Sequence, residues 1–156
     1  MALFLSTFLN KVDRKGRVSV PASFRSALVG QTFDGIIAFP SFVQPAIEGS
    51  GVDRIESLAA GIDQFDPFSE EHDHFANAIL ADSQQIGFGD DGRIVLPEVL
   101  REHANITEHA AFVGRGATFQ IWEPEAFAAV QAEARKRARE DRASLTLRRK
   151  DGEGSP

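Results

Sequence analysis

A short basic segment near the amino end carries the residues whose types and spacing could do chemistry. Residues Asp13–Arg17 read Asp-Arg-Lys-Gly-Arg, and Gly16 permits the positive φ that a tight chain reversal needs. Asp13 and Arg17 flank the tip closely enough to form an ion pair, which would hold the guanidinium in one orientation. The stretch Asn10–Arg17 contains four basic residues and one acid, a net charge of +3. This pattern indicates a binding site for a polyanion.

The four basic side chains of this stretch are the predicted nucleic-acid contacts. An arginine that pairs with guanine O6 and N7 is the commonest specific base contact, and a β-ribbon is narrow enough to enter the major groove. Arg17 is therefore predicted to read a base or to position the ribbon. Lys11, Arg14 and Lys15 are predicted mainly to contact phosphate. In the alternative interpretation, Asp13 and Arg17 only stabilise a hairpin and the neighbouring charges are ordinary solvated side chains.

The same arrangement recurs 76 residues later in the chain. Gly89–Arg101 repeats the turn, short strand, proline and short helix of Asp13–Arg25, with Gly92 at the tip of the second turn. Each copy is one supersecondary unit that needs a partner to bury its apolar face, and the other copy is the nearest partner. Arg25 and Arg101 end the two copies, and we expect them to form ion pairs between repeats or subunits more than to read DNA.

The second turn, Gly89–Arg93, differs from the first turn, Asp13–Arg17, in charge. Glycine takes the place of the first aspartate, and Asp90 and Asp91 replace the arginine and lysine at the tip. Two carboxylates beside a phosphate weaken binding, and we expect one of them to neutralise Arg93 locally. A structural role for this turn is favoured, and a contact between Arg93 and nucleic acid is the alternative.

The chain resembles the MraZ family over about residues 1–130. The resemblance rests on Leu9–Arg25, where an Asp-x-Lys-Gly-Arg turn is followed by Val-Ser-Val-Pro-Ala, and on the second copy in register. It implies a bacterial transcriptional regulator of the division and cell-wall gene cluster, in which Asp-x-x-x-Arg is the DNA-binding signature. Its members assemble into rings and bind tandem short repeats in the promoter of their own operon. The implied partners are therefore double-stranded DNA and further copies of this chain in a ring-like homo-oligomer.

The resemblance also implies the fold class. We expect an α+β protein in which two tandem AbrB-like β-α-β modules form a pseudo-two-fold, swapped-hairpin, double-psi-like barrel with accessory helices. The predicted divisions are 1–50, the first SpoVT/AbrB-like module; 51–82, a helical acidic connection; 83–126, the second module; 127–142, a C-terminal helix; and 143–156, a flexible tail.

Periodicity and turn signals predict where several elements begin and end. Leu3–Val12 is a predicted strand, and Val18–Val20 is predicted to continue it as a hairpin. Val52–Ile62 is a predicted helix. A second connecting helix should open at Asp66, with this residue as its cap and the following proline as its first residue. A last helix should run from Pro124 to about Arg142.

Composition limits the remaining choices for this chain of 156 residues. The net charge is −6, yet residues 51–82 hold one arginine and eight carboxylates, so the acid lies between the repeats and away from the first turn. A chain polarised in this way can bind phosphate on one face. No stretch reaches the roughly 18 apolar residues that span a bilayer, and no membrane partner is expected. The absence of cysteine agrees with a reducing cytoplasm, so we predict a cytoplasmic, nucleoid-associated protein.

Rival chemistries have weaker support in the sequence. His72 and His74 lie two residues apart on a predicted helix and point about 200° apart, so they cannot share a metal ion. No serine lies in a nucleophile-elbow context. We therefore predict no catalytic residue, metal or cofactor. Three other functions stay open: an AbrB-type antitoxin or transition-state regulator, which normally has one module and a toxin-binding tail; a self-assembling structural protein; and a small hydrolase.

Overall fold

The computed structural model describes residues 2–148, which combine antiparallel β-sheet with helices. The mixed α+β class is thereby confirmed. The strands are β1 Thr7–Lys11, β2 Arg17–Ser19, β3 Gly35–Pro40, β4 Ile47–Ser50, β5 Gln84–Gly87, β6 Arg93–Val95, β7 His109–Gly114 and β8 Phe119–Trp122. The helices are α1 Ala22–Ala27, α2 Val52–Ile62, α3 Glu70–Phe75, α4 Glu98–His103 and α5 Pro124–Asp141, with a π-helical segment at Ala76–Ala81 and a 3₁₀ turn at Arg142–Ser144.

The strand order has the symmetry that the sequence repeat predicts. Six strands form one antiparallel sheet in the order β1-β7-β8-β4-β3-β5, and β2 pairs with β6 in a second, two-stranded sheet. If each strand of the first repeat is exchanged with its counterpart in the second (β1 with β5, β3 with β7, β4 with β8), the result is the same strand order read from the other edge of the sheet. Among the strands of residues 2–148, β1 and β5 are left as edges, so the hydrogen-bonded order does not close into a barrel.

The predicted hairpin between Leu3–Val12 and Val18–Val20 is wrong, because the strands pair between repeats. β1 pairs with β7, and β2 pairs with β6 in a register that sets Val18 opposite Ile94. Both of these side chains are 1% exposed. A strand of three residues cannot bury its apolar residue alone, and burial of a valine or isoleucine is worth about 1.5–3 kcal/mol. The pairing of the two short strands therefore buries the apolar residue of both repeats at once.

Phenylalanine side chains from both repeats build the main core. Phe24 of α1 contacts the rings of Phe4, Phe112 and Phe119, with ring centroids 5.2–6.3 Å apart. Leu100 of α4, the counterpart of Phe24, is also fully buried. Because α1 and α4 both insert into this cluster, the helix that follows each turn is fixed against the common core.

The segment between β3 and β5 contains one strand and one helix start that were not predicted correctly. β4 was not predicted, and it lies between β3 and β8. A Cβ at Gly49 would overlap the ring of Phe119, so only glycine fits there. The predicted start of α3 at Asp66 is wrong. The helix begins after Ser69, whose hydroxyl accepts a hydrogen bond from the His72 N–H at 3.2 Å. A serine at this position caps the helix, because it provides an acceptor for an amide that has no partner within the helix.

The described residues divide into two compact units, residues 2–124 and the segment that starts at Glu125. The second unit consists mainly of α5, which begins at Pro124 as predicted and ends at Asp141, one residue before the predicted end. Of the predicted flexible tail, residues 149–156 lie outside the described residues. Across residues 2–148, no helix combines the length and the apolar character needed to cross a membrane.

Candidate nucleic-acid interface

The first turn is organised around the carboxylate of Asp13. Its Oδ1 accepts hydrogen bonds from the backbone N–H groups of Lys15 and Arg17, both at 2.9 Å, and its Oδ2 accepts one from Arg17 Nε at 2.6 Å. The Gly16 N–H donates to the Asp13 carbonyl at 3.0 Å, and Gly16 has a φ of 84°. The predicted pair is therefore present, and it fixes both the backbone of the turn and the arginine side chain.

This hydrogen bonding also sets the ionisation of the site. The backbone N–H of Arg17 has the largest effect in lowering the pKa of Asp13 below its ordinary value of 3.8, and the hydrogen bond from the Arg17 side chain and the N–H of Lys15 act in the same direction. The carboxylate is therefore charged at neutral pH. The Arg17 side chain remains 42% exposed, so a guanidinium of fixed orientation is accessible to a ligand.

The other predicted contacts lie in the first turn or directly before it. Lys11, Arg14 and Lys15 are all exposed. Within residues 2–148, the carboxylates lie beyond ion-pair distance of all three side chains. Lys11 ends β1, whereas the other two lie at the tip of the turn. Three of the four predicted basic residues thus lie in the first turn, and Lys11 ends the strand that leads into it. Lys11, Arg14 and Lys15 carry positive charge that no neighbouring acid in this part of the chain neutralises.

The second turn keeps the backbone of the first and changes the side chain that orients its arginine. The Gly89 N–H donates to the Arg93 carbonyl at 2.8 Å, and the Gly92 N–H donates to Gly89 O at 3.0 Å. Asp91 now accepts from the N–H of Arg93 at 3.1 Å and from its Nε at 2.5 Å. These bonds, led by that of the backbone N–H, lower the pKa of Asp91. The expected local neutralisation of Arg93 is confirmed, with Asp91 as the partner.

The position of the aspartate makes the two turns electrostatically different. Asp91 aligns with Lys15 of the first turn, so the carboxylate that orients Arg93 comes from the tip itself. In the first turn, Asp13 comes from the base and leaves the tip to two basic residues. Both turns therefore present an oriented arginine, and only the first presents it beside unpaired positive charge.

Pairing of β2 with β6 brings the two oriented arginines to one face. Val18 and Ile94 point into the core, so Arg17 and Arg93, one residue before each, lie on the outer face of this two-stranded ribbon. Arg17 lies opposite Val95 in the register, which places the two arginines at diagonal positions. The Cα atoms of such diagonal neighbours lie about 7–8 Å apart. Both line a cleft of about 310 Å³.

The turns are also joined across the repeats. The Leu96 N–H donates to Gly16 O at 2.9 Å, and the Val20 N–H donates to Gly92 O at 3.3 Å. Arg25 and Arg101 were expected to form ion pairs between repeats or subunits, and each lies against the glycine of the opposite turn. Their contacts within residues 2–148 are packing and backbone hydrogen bonding, so the expected ion pairs are not among the interactions of this part of the chain.

A metal site at His72 and His74 is the rival that helix geometry argued against in the sequence. His72 lies 3.8 Å from an oxygen of Asp63, and its backbone N–H donates to the Ser69 hydroxyl described above. Across residues 2–148, no three histidine or carboxylate side chains converge as a set of metal ligands.

Comparison with known proteins decides the family. Residues 79–149 match the family model described as "MraZ protein, putative antitoxin-like". The transcriptional regulator MraZ of Pelagibacter ubique (strain HTCC1062) is 52% identical over 143 residues, which cover 92% of this chain and 92% of that protein. The chain belongs to the MraZ family. The MraZ proteins of Rickettsia akari (strain Hartford) and Gluconobacter oxydans (strain 621H) are 45% and 49% identical, covering 93% and 89% of this chain and 97% and 87% of theirs.

Membership in MraZ confirms the resemblance on which the sequence analysis relied. MraZ relatives are named as transcriptional regulators, so this chain is a member of a regulatory family and not of an enzyme family. The sequence alone identified Asp13 and Arg17 as a pair, because a spacing of four residues across a glycine-containing turn is a recognisable signal. It did not identify the part that Arg101 plays at the first turn, which depends on how the two repeats pack.

Proposed function

We propose that this chain is a sequence-specific, double-stranded DNA-binding transcriptional regulator of the division and cell-wall gene cluster. The first turn is its principal DNA contact, and a ring-shaped homo-oligomer binds tandem promoter repeats. One observation carries the proposal: the Asp13 carboxylate orients a 42%-exposed Arg17 at a loop whose remaining basic side chains are exposed.

The fixed guanidinium favours specific recognition over general attraction. An arginine that is already oriented loses less conformational entropy when it forms two hydrogen bonds to a guanine or a phosphate. Because Asp13 engages Arg17 through Nε, the other guanidinium nitrogens can act as donors to a base edge. In this proposal Arg17 reads a base or positions the ribbon, and Lys11, Arg14 and Lys15 bind phosphate.

The charge distribution limits which face meets DNA. The acidic connection, residues 51–82, would repel the duplex. Four phosphates neutralised by the basic residues of one chain would give a salt slope of about −3.6, which describes modest binding by a single copy. Several copies that present their first turns together would raise the effective concentration at neighbouring repeats. The ring and the tandem repeats belong to the proposal for this reason.

The second turn contributes less direct contact in this proposal. Arg93 shares the outer face of the ribbon with Arg17, but Asp91 pairs with it and Asp90 adds a second carboxylate to the same turn. We therefore assign it mainly a structural role. The proposal also includes the finer fold, two AbrB-like modules related by a pseudo-two-fold in a swapped-hairpin, double-psi-like arrangement, with the domain boundaries given above. A cytoplasmic, nucleoid-associated location follows from the same function.

A gel-shift experiment with the DNA upstream of the chain's own gene tests the proposal. The protein is titrated against this duplex and against a scrambled duplex of the same length, at several salt concentrations. We expect tighter binding to the upstream DNA. The salt slope for each engaged copy should be about −2.7 if Lys11, Arg14 and Lys15 bind phosphate, and about −3.6 if Arg17 does so as well. Equal binding to both duplexes would contradict sequence specificity, and the absence of salt-dependent binding would favour a self-assembling structural protein.

A further inference from the structure

The Arg101 side chain, which belongs to the second repeat, lies against the tip of the first turn. Its Nε donates to the Leu96 carbonyl at 3.0 Å, while the N–H of Leu96 donates to the carbonyl of Gly16 at 2.9 Å. A Cβ built on Gly16 would lie 3.0 Å from Arg101 Nε and 3.2 Å from Cζ. The guanidinium therefore packs on backbone that only a glycine leaves open.

Arg25 occupies the equivalent place on the second turn with a weaker set of contacts. A Cβ at Gly92 would overlap Nη1 of Arg25, so this guanidinium also packs on a glycine of the opposite repeat. The connecting hydrogen bond, from the N–H of Val20 to Gly92 O, is longer at 3.3 Å. The hydrogen bonds of residues 2–148 include a bond from Arg101 to Leu96 O and no counterpart from Arg25. The contacts that hold the first turn therefore include one side-chain hydrogen bond that has no equivalent at the second turn.

We propose that Arg101 is a positioning residue for DNA binding by the first turn, although it belongs to the repeat whose own turn is acidic. This inference rests on the proposed function. The Arg101 side chain and the Leu96–Gly16 hydrogen bond attach the tip of the first turn to α4, which the buried Leu100 fixes in the core. Asp13 orients Arg17 within the turn, and Arg101 orients the turn on the molecule.

The contacts predict a crossed dependence between the repeats. Removal of Arg101 from the second repeat should loosen the first turn, and removal of Arg25 from the first repeat should loosen the second turn. This crossed dependence also distinguishes an arginine that positions a turn from one that contacts DNA directly. If Arg25 and Arg101 bound phosphate themselves, each would act on the salt dependence of DNA binding independently of the turns.

The experiment compares Arg101→Ala with the matched control Arg25→Ala, which removes the same side chain from the equivalent helix position. Binding to the upstream DNA is measured over a range of salt concentrations, alone and in the Arg17→Ala background. Backbone hydrogen exchange is measured on the free proteins at Leu96 and Val20. Arg101→Lys is included as a variant that keeps the positive charge and lacks Nε, in case the alanine variant does not fold.

We expect Arg101→Ala to weaken binding about tenfold, as the loss of one charged hydrogen bond implies, and Arg25→Ala to weaken it much less. The salt slope should not change, the loss should be smaller in the Arg17→Ala background, and Arg101→Lys should behave as Arg101→Ala does. Exchange at Leu96 should accelerate only without Arg101, and exchange at Val20 only without Arg25.

Three results would overturn the inference. A salt slope that becomes shallower by about 0.9 would make Arg101 a phosphate contact. A larger loss of binding from Arg25→Ala would contradict the crossed assignment, and unchanged exchange at Leu96 would show that Arg101 does not fix the turn. If the wild-type protein binds no DNA, the proposed function fails, and the exchange measurements still decide whether the crossed contacts fix the turns.

Discussion

Conversion of the second turn into a copy of the first tests how charge and orientation combine at this surface. The variant Gly89→Asp/Asp90→Arg/Asp91→Lys gives the second turn the carboxylate at its base and the two basic residues at its tip that the first turn has. A Cβ at Gly89 would have its nearest neighbours at 3.4 and 3.5 Å, and Gly89 does not have a positive φ. An aspartate therefore fits without strain.

The size of the effect follows from the geometry of the ribbon. The net charge of the second turn changes from −1 to +2. Arg17 and Arg93 already share one face, so the new basic residues should reach the same duplex. Two additional phosphate contacts would make the salt slope steeper by about 1.8. Binding to the upstream DNA, measured by fluorescence anisotropy over a range of salt concentrations, should show this change together with tighter binding at low salt.

The matched control is Asp90→Arg/Asp91→Lys with Gly89 retained. This variant has a higher charge at the second turn, +3, but it lacks a carboxylate to orient Arg93. If orientation matters as proposed, the triple variant discriminates upstream from scrambled DNA better than the double variant does. Equal discrimination by the two variants would refute the argument from orientation. An unchanged salt slope in both would show that the second turn does not approach DNA.

Three further predictions concern single positions in the turns. Arg17→Ala should cost about 1–3 kcal/mol of binding to upstream DNA and more than Arg93→Ala in the same gel shift; equal losses would mean that the second turn has been misinterpreted. Gly16→Ala should lower the free energy of unfolding by roughly 1–3 kcal/mol, and by more than Gly92→Ala in urea titrations. The reason is that a Cβ at Gly16 would lie 2.8 Å from a backbone oxygen, whereas the atoms nearest a Cβ at Gly92 belong to a movable arginine side chain. Because the pKa of Asp13 is lower in the folded protein than its ordinary 3.8, its stabilising effect is complete above that pH and is lost as the pH falls through the folded-state value. The protection of the backbone amides of the first turn against hydrogen exchange should fall over the same pH range, and this pH dependence should be absent in Asp13→Asn.

The local chemistry of the first turn could be predicted because it depends on residues close in sequence. Asp13, Gly16 and Arg17 lie within five positions, and the ion pair and the positive φ both follow from their types and spacing. The helix Val52–Ile62 was likewise predicted with its observed bounds, since its apolar side has a helical period. The start of α3 was misplaced because Asp66 and Ser69 are both good caps, and local preference alone does not choose between them.

Pairing between the repeats could not be predicted from local sequence. Three-residue strands carry no signal for their partner, and only the shared burial of Val18 and Ile94 selects the β2–β6 ribbon. β4 was missed because its glycine, Gly49, weakens strand preference, and the reason for that glycine is the ring of Phe119. The contact of Arg101 with Gly16 depends on the same tertiary packing.

Site-directed crosslinking tests the central claim, contact between the first turn and DNA, most directly. The natural chain has no cysteine, so a photoreactive group can be attached at one engineered position, Arg14→Cys in the first turn or Glu71→Cys on α3 as the control. With upstream duplex present, we expect crosslinks to DNA from position 14 and none from position 71. Crosslinks from position 71, with none from position 14, would contradict this claim.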